Sequence, residues 1–293
     1  MSGFSFSKVS IIQSLEESEF HSGTELQGYL EGLREDNPEA PQVELTDVKS
    51  AAEFLEAIER LVASARADGD WPILHLELHG WNDKTGLAFP DDSSLSWHEL
   101  AEALARLNSA TEFNLMVCVG TCFGAHFLGA LRPLQAGPCV ALIGPTHLTN
   151  GAELLGAFRG YYCVLFATGS AEDAYAAAQQ VRLDHGSFLM QDAKFWFFRL
   201  AQGYLEERCT RAMLFERAAK GIADVERTTG KNLAFGLAVK MQIDQAMTFL
   251  DRAFAVYFMT ADIPENNVRF SASLAAAKER AAKFFEAEKL DLH

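Results

Sequence analysis

Up to about residue 188, short apolar runs alternate with longer stretches whose apolar residues recur at helical spacing. The runs KVSIIQSL (8–15), APQVELTDV (40–48), WPILHLELHG (71–80), NLMVCVGTCFG (114–124) and PCVALIG (138–144) are short and bounded by turn formers. Runs of that length suit strands buried on both faces better than helices. Between them, ELQGYLEGLRE (25–35) and SAAEFLEAIERLVASARADG (50–69) read as helices. In the second, Phe54, Leu55, Ile58, Leu61 and Val62 share a face behind a Ser50 cap with Glu53 three residues on. The excursion over 81–113 predicts a hairpin around Pro90, Asp91 and Asp92, then a helix opened by Ser96 with Glu99 at its third position. Further along, 124–134 reads as a short helix, 151–168 as helical or mixed, and 170–183 as an amphipathic helix capped by Ser170. Strands alternating with helices predict an α/β fold with a mainly parallel sheet.

From about residue 189 the pattern becomes helical throughout, with breaks at Gly230 and at Pro264, Glu265 and Asn266. This divides the chain into an α/β domain over 1–188 and a helical C-terminal region over 189–293. The helical region carries dense apolar sets, Phe195, Trp196, Phe197 and Phe198, then Phe254, Val256, Tyr257 and Phe258. One amphipathic stripe does not need so many, so they must be buried against the α/β half, a second copy, or a regulatory partner protein docking on the tail.

Composition narrows the partners. Forty acidic against 25 basic residues give a net charge of −15, which disfavours phosphate backbones and anionic lipid and favours basic peptides. No nucleic acid and no membrane partner is therefore expected. Residues 1–20 lack a basic segment followed by an apolar core, and no apolar run approaches the roughly 18 residues of a membrane span, so a cytoplasmic protein is expected. Five cysteines without C-x-x-C spacing read as reduced thiols.

Two of the strand runs end in a reactive residue beside glycine, His79–Gly80 and Cys122–Phe123–Gly124. Side by side and parallel, such strands deliver an imidazole and a thiol into the crevice at their carboxyl ends, a Cys–His dyad. Other readings compete with it. Cys118, Cys122 and His126 share a face only if helical, so the strand reading leaves no metal site. GTCFG (120–124) also fits the nucleophile turn of an α/β-hydrolase with cysteine for serine. That class takes its base from downstream, where His126, His147, His185 and His293 lie, with Asp173 a candidate acid for His185. His75 reads as structural, and Glu77, on the same strand face as His79, is not assigned a role.

The two strand ends, their separation of 43 residues and the intervening GLAFPDDSSLSWHEL resemble the caspase-like cysteine peptidases, in particular their bacterial CHAT-type branch. The resemblance covers roughly residues 5–188. It implies a caspase-like α/β/α sandwich and a cysteine endopeptidase acting on protein or peptide substrates, in a bacterial regulatory or defence setting and without a cofactor. His79 then assists Cys122, and the backbone N–H groups of Gly80 and Cys122 form the oxyanion hole. In that family the residue two before the nucleophile lines the S1 pocket. Here it is Gly120, with the loop carrying Thr146 and His147 as the other wall. The acidic balance, with Asp91 and Asp92 nearby in sequence, favours a basic P1 residue. A non-catalytic caspase-like scaffold for the helical tail is the remaining alternative.

Overall fold

The computed structural model describes residues 5–81, 85–121, 127, 129, 131–147, 149–181 and 186–290. Its first unit comprises Met1–Leu131 and Gly137–Ala193. The elements there are β1 (Lys8–Ser14), α1 (Ser22–Asp36), β2 (Gln42–Asp47), α2 (Ala51–Asp68), β3 (Pro72–Gly80), β4 (Gly86–Ala88), β5 (Ser94–Ser96), α3 (Trp97–Ala110), β6 (Met116–Val119), β7 (Ala141–Pro145), α4 (Gly151–Thr168), α5 (Ala171–Ala178) and β8 (Phe188–Asp192). The strands run in the order β2-β1-β3-β6-β7-β8, with the β4–β5 hairpin attached to the end of β3. Every pair from β2 to β7 along this path is parallel, and β8 closes the far edge antiparallel to β7.

Local chemistry sets most of these boundaries. Ser50, Ser96 and Ser170 each accept a hydrogen bond from the backbone N–H three residues on, and at Ser96 the Glu99 side chain returns the bond to complete a capping box. Asn150 caps α4 in the same way, which makes 151–168 one helix rather than a mixed segment. Gly69, at φ 70°, ends α2 in the left-handed conformation that glycine adopts without strain. Of the helix expected over 124–134, residues 124–126, 128 and 130 lie outside those described, and 131–134 are not helical.

Central strands are covered on both faces. Ile11 and Gln13 of β1 face α1, where a Cβ at Gly23 would touch both, while Lys8, Ser10 and Ile12 line a groove with α2 on the opposite side. Helix α4 packs against α1 and α2 packs against α3, so helices lie on either side of the sheet in an α/β/α arrangement. Val9, Ile73, Leu74, Leu76, Leu115 and Val117 form its centre and are fully buried. No helix among the described residues is long and apolar enough to cross a membrane.

The second unit comprises Arg132–Ala136 and Lys194–His293. It contains α6 (Ala193–Arg208, whose first residue belongs to the α/β unit), α7 (Arg211–Thr229), α8 (Phe235–Tyr257), α9 (Asn266–Arg269) and α10 (Ser271–Ala287). The boundary between units falls after Ala193, since residues 188–192 form β8 on the sheet and pass directly into α6. Phe197, Phe254, Tyr257 and Phe258 contact one another ring to ring, and Phe258 stacks on Phe270 at 4.3 Å between centroids. These side chains fill the unit's own core. Only Phe195 of the eight is substantially exposed, at 46%.

Phe258, fully buried at the centre of that cluster, should cost about 3–5 kcal/mol of the unit's stability when changed to alanine. Phe195→Ala should change it by less than about 0.5 kcal/mol. Urea unfolding followed by far-UV circular dichroism checks both, and equal effects would contradict this core.

Candidate active site at the carboxyl edge of the sheet

Side chains alternate across a strand, so His75, Glu77 and His79 of β3 share one face and become progressively less buried toward its carboxyl end. His75 is fully buried. Its Nδ1 lies 3.1 Å from Tyr162 Oη and its Nε2 lies 2.8 Å from Glu77 Oε1. Phe158 meets the imidazole edge-on at 4.5 Å. Glu77, 2% exposed, accepts a second bond from Ser22 Oγ at 2.7 Å. Ser22 is the first residue of α1, where the helix dipole favours negative charge. Cys118 joins the far end of this chain through Tyr162. The interior of the sheet therefore holds a continuous polar seam, Tyr162–His75–Glu77–Ser22, in which every link is hydrogen-bonded, with Cys118 beside Tyr162.

That seam explains Gly120. A Cβ there would stand 2.6 Å from the Glu77 carboxyl carbon, so the direction a side chain at 120 would take is already filled by Glu77. Gly120 N–H donates to Leu76 O at 2.7 Å and carries the β3–β6 ladder one step past Val119.

Beyond the seam, the strand ends open to solvent. The His79 side chain is 50% exposed, and its Nε2 lies 2.9 Å from Glu19 Oε2, in the loop joining β1 to α1. Gly80, half-buried, pairs with Leu87 of the hairpin. Thr146 and His147 follow the end of β7 at the same edge. Thr146 Oγ1 donates to Ser187 O at 3.0 Å and lies 2.8 Å from His147 Nδ1. With the hydroxyl proton committed to Ser187, His147 Nδ1 is the donor in this contact, and the residue is exposed. Gly186, at φ 77°, has no room for a Cβ beside His147 Nδ1 and Thr146 Oγ1.

Cys122, the expected nucleophile, lies outside the described residues, as do His126, His185 and His293. The structure therefore brings His79, Gly80, Gly120, Thr146 and His147 to one edge of the sheet, or directly beneath it. The other four cysteines are free thiols. Burial pushes the Cys118 thiol up to about 12, only partly offset by its bond to Tyr162, and burial raises Cys139 well above the usual thiol range. Cys209 is likewise raised, burial outweighing its contacts with Tyr204 and Arg217. Thiols held in this way are poor nucleophiles. Cys118 sits on a strand, which removes the helical spacing that a zinc site with Cys122 and His126 requires. Among the described residues no three His, Cys, Asp or Glu side chains cluster as metal ligands.

Sequence reasoning missed Glu19. It belongs to no periodic pattern and lies 60 residues from His79. The available signal was topological: an acidic loop leaving the carboxyl end of a strand beside β3. No family model matches the chain, and no curated protein matches it.

The two carboxylates at this face should behave differently on removal. Glu77→Ala strands a buried imidazole and should cost about 3–5 kcal/mol. Glu19→Ala, at a half-exposed pair, should cost less than about 1 kcal/mol. Gly120→Ala should be strongly destabilising alone but much less so in the Glu77→Ala background, because the group it collides with is gone. Urea titration of the four variants tests this, and additive effects would contradict the contact.

Proposed function

We propose that the chain is a caspase-like cysteine endopeptidase in which Cys122 is the nucleophile and His79 its proton acceptor and donor. One observation carries the reading. The β3–β6 ladder pairs Ile73 with Met116, Leu74 with Val117, His75 with Cys118 and Leu76 with Val119, an offset of 43 residues throughout. The same 43 residues separate His79 from Cys122 in the sequence. His79 itself emerges at the carboxyl edge of the strands, where open α/β sheets hold their sites.

The half-exposed His79, its carboxylate partner and the glycine following it support the chemistry. A free thiol near its usual pKa of about 8.5 is only slightly ionised at neutral pH, so transfer of its proton to the imidazole is needed before attack. The thiolate adds to the scissile carbonyl carbon, and the Gly80 and Cys122 N–H groups receive the oxyanion. The imidazolium then protonates the departing amine, leaving a thioester that water, deprotonated by the same imidazole, hydrolyses. With Gly120 backed by Glu77, the Thr146–His147 loop is the more adaptable wall for a substrate side chain. The net charge of −15 favours a basic P1 residue.

A second reading has one observation behind it. His147 also stands exposed at the carboxyl edge, downstream of Cys122 in the chain, where a Cys-nucleophile α/β-hydrolase would take its base.

Cys122→Ala should abolish cleavage of a fluorogenic peptide library and labelling by acyloxymethyl ketones, while Cys118→Ala leaves activity within a few-fold. His79→Ala should lower kcat by at least about 10³ and His147→Ala by less than about tenfold. The library should be cleaved after Arg or Lys in preference to Asp. Labelling that survives in Cys122→Ala would overturn the peptidase, and loss of activity in His147→Ala but not His79→Ala would favour the hydrolase.

A further inference from the structure

The loop between β1 and α1 holds a carboxylate for which a two-residue dyad has no task. Glu19 Oε2 accepts the Glu16 backbone N–H at 2.7 Å while standing 2.9 Å from His79 Nε2. The Glu19 backbone N–H in turn bonds Glu16 O at 3.1 Å. The carboxylate is thus anchored to its own turn and aimed across to β3, unlike a solvated surface side chain. An ionised carboxylate only accepts, so the bond requires a proton on Nε2, and the neutral ring keeps its lone pair on Nδ1.

Resting on the peptidase reading, we propose that Glu19 is the positioning residue of the site: it holds the His79 ring with Nε2–H toward the β1–α1 loop and so makes Nδ1 the working nitrogen. In the forward step Nδ1 takes the proton from the Cys122 thiol, giving thiolate and imidazolium. In the collapse step the same proton passes from Nδ1 to the leaving amine as the carbon–nitrogen bond breaks. Glu19 keeps its negative charge throughout and stabilises the imidazolium between these steps.

The neighbouring acid does not compete for this role. Glu77 shares the strand face of His79, but its two oxygens are taken by His75 Nε2 and Ser22 Oγ. Besides His79 itself, the titratable group acting on the Glu19 carboxyl is His21, from the same β1–α1 loop. Burial alone would raise the Glu19 carboxyl. The hydrogen bonds from His79 and the Glu16 N–H, with the nearby His79 and His21 rings, reverse this and hold it below the usual carboxylate range. Glu19 is therefore held as the carboxylate through the neutral range.

The test uses the full chain with ¹⁵N-labelled histidine, His79 being assigned by the signals lost in His79→Gln. At pH 8 the wild-type ring should show protonated Nε2 and unprotonated Nδ1. Glu19→Ala should raise the Nδ1–H population at least threefold, and Glu19→Gln, which retains an acceptor oxygen, should stay close to wild type. On the best peptide from the library, Glu19→Ala should lower kcat about 10- to 100-fold with KM within about twofold, and Glu19→Gln should recover part of the loss. A wild-type ring protonated at Nδ1 overturns the inference, and so does a kcat within twofold of wild type in Glu19→Ala. A ring that loses its tautomer preference in Glu19→Ala, in a protein that cleaves no peptide, sustains the positioning and rejects the peptidase.

Discussion

The register of β3 is the constraint on which the rest of the α/β unit depends. A slip of one residue against β1 or β6 would turn His75 and Glu77 to the opposite face, away from Tyr162 and Ser22, and leave two buried polar side chains without partners. Each such group would cost about 1–3 kcal/mol, a large share of the stability of a domain. The same register places Gly120 against the Glu77 carboxyl, where no larger residue fits. Polar pairing and steric exclusion thus select one alignment, and that alignment determines where the half-exposed His79 emerges.

From this follows a division of labour along a single strand face. The inner half of the polar stripe, His75 and Glu77, is closed off by α1 and α4 and serves the fold. Its outer residue, His79, pairs with Glu19 of the β1–α1 loop and retains half its exposure. Chemistry that needs proton transfer is available at the second position and not at the first. The helical unit stands apart from this division, since its aromatic residues form a core of their own.

Legibility in the sequence followed the range of the interaction responsible. Helix starts were readable because Ser50, Ser96 and Ser170 act on residues three positions away. The parallel strands were readable as dense apolar runs between turn residues. Strand β8 was not, because it is five residues long, half-buried for most of its length, and passes directly into α6 without a turn residue. Glu77 was visible as sharing a face with His79, yet its partners are His75 and the distant Ser22. Glu19 gave no local sign, since an acidic residue in an exposed loop looks the same whether or not an imidazole lies across from it. The Cys122 half of the site rests on sequence and ladder arithmetic, its residue lying outside those described.

The central claim, that an imidazole on β3 activates the thiol at 122, is tested most directly by the rate of iodoacetamide alkylation of each cysteine against pH, read by peptide mass spectrometry on the folded full chain. The account predicts that Cys122 is the fastest-reacting thiol at pH 6–7, ahead of the exposed Cys163, and that His79→Ala slows it at least about tenfold while leaving Cys163 unchanged. A Cys122 that reacts no faster in the folded chain than in urea, or whose rate is indifferent to His79, would contradict it.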